Sequence, residues 1–260
     1  MSKALADALA IHRFTEAPGD LQERMALRTT HRRVWSGAQT LLNYLVASKA
    51  QLGLMQPGVR VLELGSGAGW LGLNLAAAVP NMELTMSELP LATPALRAHV
   101  RRIGALEPSI CKRVHVVELD WEAALASPAP PWTYIIGSEL LYSHAGLRAL
   151  PRAIAALAAP STRILYMHVP GRKASVDAEL HPEFLAAGLV LTPVEVRHTV
   201  DLSHAADVVP AVDDSGDEEE SGAAWIPDGG LFAEEDSAWR SSRPSPVIFE
   251  VTFAREYRRA

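Results

Sequence analysis

The stretch Val59–Gly69, VRVLELGSGAG, limits the fold of this chain more than any other. Val59, Val61 and Leu62 read as a short buried strand, with Glu63 at its carboxyl end. The chain then breaks into Gly65-Ser66-Gly67-Ala68-Gly69, and Trp70 to Val79 reads as a helix. A strand that passes through glycines into a helix brings bare backbone N–H groups close to a ligand, because glycine has no Cβ to hold the ligand off. The stretch therefore predicts an α/β fold with a binding site at the end of its first strand.

The rest of the chain repeats that alternation. Before the glycine turn, Ser36 to Leu52 carries Leu41, Leu42, Leu45 and Val46 at helical spacing, and Pro57-Gly58 marks a turn. After it, strands are predicted over Met82–Ser87, Arg113–Leu119, Thr133–Gly137, Ser161–Val169, Leu189–Asp201 and Pro246–Arg255. Helices are predicted over Leu91–Ile103, His144–Leu157 and Val176–Ala187, with Pro94 in a first turn and Gly188 as a C-cap. This order implies an open, mostly parallel sheet with helices on both faces. No helical pattern separates the last two strands, so they are expected to pair antiparallel.

The net charge of −6 averages two unlike parts. Twelve of the 30 acidic residues lie between Asp201 and Asp236, where there is no Lys or Arg, leaving 24 basic and 18 acidic residues elsewhere. Residues 205–245 hold the runs Asp213-Asp214 and Asp217–Glu220 among Gly, Ser and Pro, which predicts a mostly disordered acidic insertion. The division is then 1–56, an N-terminal helical segment; 57–204, a binding core; 205–245, the insertion; and 246–260, a final core strand with its tail. The basic residues are scattered, so no nucleic-acid partner is expected. No apolar run is long enough to span a bilayer, and no membrane partner is expected. Cys111 is the only cysteine, which excludes an intrachain disulfide and fits a cytoplasmic, or also nuclear, location. His144, His168, His181, His198 and His204 lack zinc-ligand spacing, so no metal is expected.

In open α/β sheets ligands sit outside the carboxyl ends of the strands, where the strand order reverses. Polar residues recur there: Glu63 and the glycines after the first strand, Glu88 after the second, Asp120-Trp121 after the third and Ser138-Glu139 after the fourth. A dinucleotide fingerprint would place a glycine at 70, where this chain has Trp70. An acid at the end of the second strand can accept both hydroxyls of a ribose. That suits the adenosine of NAD or of S-adenosylmethionine.

The pattern Glu63-x-Gly65-x-Gly67-x-Gly69 resembles motif I of class I methyltransferases. Four stretches are similar to the seven-stranded methyltransferase family 16, which contains protein-lysine methyltransferases. Val34-Trp35 with the following helix resembles the family's pre-core tryptophan segment, and VLELGSGAGWLGL its motif I. LDW at 119–121 resembles its Asp-Trp step, and YIIGSELLY at 134–142 its Asp-x-x-Tyr motif. Glu139 stands where that motif begins with Asp, and Glu88 where Asp is commoner.

The resemblance implies a doubly wound, Rossmann-like seven-stranded methyltransferase sheet with its last strand antiparallel, and S-adenosylmethionine as cofactor. It places Trp35 and Ser138 along the cofactor. Gly65, Ser66, Gly67 and Gly69 approach its methionine part and ribose, Glu88 holds the ribose hydroxyls, and Asp120 and Trp121 border the adenine. Glu139 and Tyr142 fall where the methyl group meets the substrate. The expected activity is N-methylation of a lysine side chain of a protein substrate by a monomeric enzyme. The alternatives are a methyltransferase for a small-molecule amine or a nucleic acid, and a non-catalytic scaffold binding partners through the acidic insertion.

Overall fold

The computed structural model describes residues 36–122, 131–171, 173–195 and 245–254. Two short apolar strands form the centre of its sheet: β1 (Arg60–Leu64) and β4 (Tyr134–Ser138), parallel, with Val61 opposite Tyr134 and Leu64 opposite Gly137. Nearly every residue of both is buried, as expected for strands covered on both faces. On one side of β1 lie β2 (Glu83–Glu88) and then β3 (Val114–Glu118). Beyond β4 lie β5 (Arg163–His168), β7 (Val247–Phe253) and β6 (Leu189–Pro193), giving the order β3-β2-β1-β4-β5-β7-β6. The first five strands are parallel, and β7 runs antiparallel to both β5 and β6. The expected pairing of the last two strands is present, and β7 also inserts beside β5.

Alternation along the strands divides the core into two layers. Val61, Tyr134, Ile136, Leu165 and Met167 face α1 (Ser36–Ala47), α2 (Trp70–Ala78) and α3 (Thr93–Leu106). Their sequence neighbours Leu62, Ile135, Ile164 and Tyr166 face α5 (His144–Leu157) and α6 (Ala174–Ala186). Between α3 and β3 stands a short helix that periodicity does not reveal, α4 (Pro108–Cys111). Pro108 starts it, and the Glu107 side chain accepts the Ser109 N–H. Gly188 closes α6 with φ +77°, its N–H donating to the Leu185 carbonyl at 2.9 Å.

The chain runs outward from β1 to β3, then returns to β4 on the other side of β1. That reversal opens a crevice above the carboxyl ends of β1 and β4. The glycine turn lies at its edge. Trp35, most of the 1–56 segment and all but residue 245 of the acidic insertion lie outside the described residues.

Candidate active site

The turn after β1 has Gly65, Gly67 and Gly69 at φ +57°, +52° and +76°. L side chains rarely adopt this left-handed region, so the turn's path depends on glycine. Space imposes a second demand at Gly65, where a Cβ would come within 2.6 Å of Leu140 and 3.4 Å of the Trp121 ring. The turn is held from two sides and closed from within. Ser66 N–H donates to the Ser87 carbonyl at 2.9 Å, and Gly69 N–H to the Ser66 carbonyl at 2.7 Å. From α3, buried His99 places Nδ1 2.7 Å from the Ala68 carbonyl, so that nitrogen carries the proton.

Glu88 ends β2 with its carboxylate buried against the turn. One oxygen accepts the Gly67 N–H at 2.8 Å and the other the Leu89 N–H at 2.9 Å. Glu63, inside the same crevice, is buried, and its Oε2 has no hydrogen-bond partner among the described residues. Burial is the main cause that pushes its pKa up to about 8. The Ser66 hydroxyl works against that, the Glu88 carboxylate adds to it, and the Gly72 N–H again opposes it. Glu63 is therefore largely neutral at pH 7.

These groups line a cleft of about 220 Å³. Nine of the residues expected at the site line it: Gly65, Ser66, Gly67, Glu88, Asp120, Trp121, Ser138, Glu139 and Tyr142. Gly69 is not among its walls; a Cβ there would meet Leu96 of α3 at 2.6 Å, so its role is packing behind the turn. Trp35 lies outside the described residues. Asp120 is exposed and accepts the Glu122 N–H at 2.9 Å, which holds the Asp-Trp step in a tight turn. Trp121 is half-buried, packed with Leu119 against the layer of α5 and α6. Tyr142 stands at the mouth, 38% exposed.

Glu139 has φ +54°, a left-handed backbone that costs a residue with a Cβ about 1–2 kcal/mol. Its side chain points to α1, where Oε2 accepts the Gly37 N–H at 2.8 Å. Beneath it the Tyr166 phenol is held protonated: burial raises its pKa, and the Glu139 charge raises it further. Sequence reasoning missed Gly37 and His99 as parts of the site. Neither sits in a motif; the fold brings each in from another helix.

A family model described as lysine methyltransferase, that of methyltransferase family 16, matches residues 20–181, more than half of the chain. The chain belongs to this family. It is an S-adenosylmethionine-dependent methyltransferase, and its cofactor is S-adenosylmethionine. The cleft of this methyltransferase suits that molecule: it joins a glycine turn with close backbone approach, acidic side chains that include Glu88 and Asp120, and an indole wall. Among solved structures, a putative sarcosine dimethylglycine methyltransferase from Galdieria sulphuraria is similar with 14% identity and TM-score 0.46, covering 58% of this chain and 60% of that one. A TehB-like SAM-dependent methyltransferase from Corynebacterium glutamicum is similar with 14% identity and TM-score 0.47, covering 83% and 95%. An O-methyltransferase family protein from Burkholderia thailandensis is similar with 15% identity and TM-score 0.45, covering 74% and 64%. No curated protein matches the sequence.

Proposed function

We propose that this methyltransferase acts on the side-chain amine of a lysine in a protein substrate. The observation that carries this reading is Tyr142, an aromatic side chain exposed at the mouth of the cleft in a member of the lysine methyltransferase family. An open mouth with an aromatic lip suits a long, flexible side chain presented by a folded partner.

In this reading the backbone of Gly65–Gly67 holds the methionine part of the cofactor, Glu88 the ribose hydroxyls, and Asp120 with the Trp121 face the adenine. Ser138 at the end of β4 lies along the same wall. When bound, S-adenosylmethionine supplies an electrophilic methyl group on a sulfonium. The remaining requirements are alignment and a neutral amine. A lysine amine loses its proton more readily when desolvated, and the Tyr142 ring supplies an apolar wall that also attracts the cation on arrival. A carboxylate charge in the cleft would hold that proton on. Glu139, which lines the cleft, is such a carboxylate and works against that loss, with its Oε2 drawn toward the Gly37 N–H. On this reading the partner is taken to be a protein, the enzyme to be a monomer, and the setting to be the cytoplasm, or also the nucleus. Among the described residues no helix is long and apolar enough to cross a membrane.

The test is transfer of labelled methyl groups into fractionated lysate, with and without prior protease treatment, followed by mass spectrometry. Label on a lysine of a discrete protein band, lost after protease, is the expected result. Label that survives protease in small molecules or nucleic acid would overturn the protein-lysine reading.

A further inference from the structure

Glu139 occupies the position that the family resemblance gives to the acceptor, yet its carboxylate is committed elsewhere. Oε2 accepts the N–H of Gly37, 102 residues away, at 2.8 Å. Gly37 is the second residue of α1, so its N–H is among the first four of the helix, which have no partner within it. A carboxylate at this end also meets the positive pole of the helix dipole. We propose that Glu139 is a positioning residue that holds α1 against the cofactor cleft, and that its extra methylene relative to aspartate is what lets it reach.

Three observations converge on this role. The left-handed backbone at Glu139 is one that a glutamate has no intrinsic reason to adopt. It follows directly on the sheet, because the Glu139 N–H donates to the Met167 carbonyl of β5 at 2.9 Å. The backbone turns while still anchored to the sheet, and the side chain is sent across to α1. Position 37, in turn, is built for close approach. A Cβ there would lie 2.7 Å from both Cγ and Oε2 of Glu139, and 1.5 Å from the Met167 methyl. Finally, α1 contributes to the site itself: Ala38, the next residue, lines the cleft, while Leu41, Leu42 and Leu45 are fully buried beneath it. A shift at the start of α1 therefore changes a wall of the cofactor site.

This inference rests on the methyltransferase reading but not on the identity of the acceptor. Length and charge separate the two roles for Glu139. A group that reaches α1 needs length and an acceptor oxygen, which glutamine keeps and aspartate shortens. A group that attracts an ammonium needs charge, which aspartate keeps and glutamine loses. The experiment measures hydrogen exchange of the α1 amides and calorimetric S-adenosylmethionine affinity in Glu139→Gln and Glu139→Asp, with acceptor KM and kcat alongside. The expected result is near-parental exchange and affinity in Glu139→Gln. In Glu139→Asp, exchange across Gly37–Thr40 rises and cofactor binding weakens by about five- to tenfold, the size of a lost helix cap. Parental exchange and affinity in Glu139→Asp would overturn the proposal. So would a Glu139→Gln variant that raises the acceptor KM strongly while leaving α1 exchange parental. If no lysine substrate is found, the exchange and affinity arms still decide the role of Glu139.

Discussion

At the end of β1, Glu63 carries a carboxyl group buried among Ser66, Glu88 and the first turn of α2, with one oxygen lacking a hydrogen bond among the described residues. An acid whose pKa rises on folding binds more protons folded than unfolded, so its contribution to stability is intact below the unfolded value and is lost as pH rises toward the folded one. For Glu63 that window runs from the ordinary value of 4.5 to about 8. Each pH unit inside it costs about 1.4 kcal/mol at most. Without cofactor, Glu63→Gln is expected to gain roughly 2 kcal/mol on the parent between pH 5.5 and pH 7.5, because it removes that slope. Denaturant titration at the two pH values measures the difference, and parallel profiles would contradict it. The sequence places Glu63 at a strand end, but not its neutrality, which arises from α2 closing over it.

At the scale of elements, the strand–turn–helix of the first motif is readable because its signals are local. Buried β-strand residues, glycines at left-handed positions and an apolar helix follow one another within twenty residues of Val59. Helix boundaries are less visible where capping is local but weakly signalled. The start of α5 is an exception. Ser143 has extended backbone, and its Oγ accepts the Gly146 N–H at 3.1 Å, a capping bond in reach of the cleft mouth. Ser143→Ala should therefore cost about 1 kcal/mol. In a domain of this size that is a fall of about 2–4 °C in melting temperature. An unchanged melting curve would show that the cap carries no weight. By contrast, α4 is too short for any periodicity to report, and the capping of α1 by Glu139 joins residues far apart in sequence.

For the whole molecule, the alternation of strand and helix patterns in the sequence gives the layers, and the lack of a helical sequence pattern before the last strand gives its antiparallel sense. The insertion of β7 between β5 and β6 is not written in any local pattern. The cleft, by contrast, is largely legible, because four strand ends bring their polar residues to one edge and nine expected residues share one cleft. What stayed hidden is direction: Glu88 braces the glycine turn and Glu139 faces α1, both through backbone N–H groups that the fold delivers. The central claim is that this turn holds S-adenosylmethionine. It is tested most directly by calorimetric titration of the cofactor into the parent protein and into Gly67→Arg, with circular dichroism confirming that both are folded. Gly67 has a left-handed backbone and its N–H lies on Glu88, so a long side chain there fills the cleft. One equivalent bound by the parent and none by the variant is the predicted result; equal affinity in the two would contradict it.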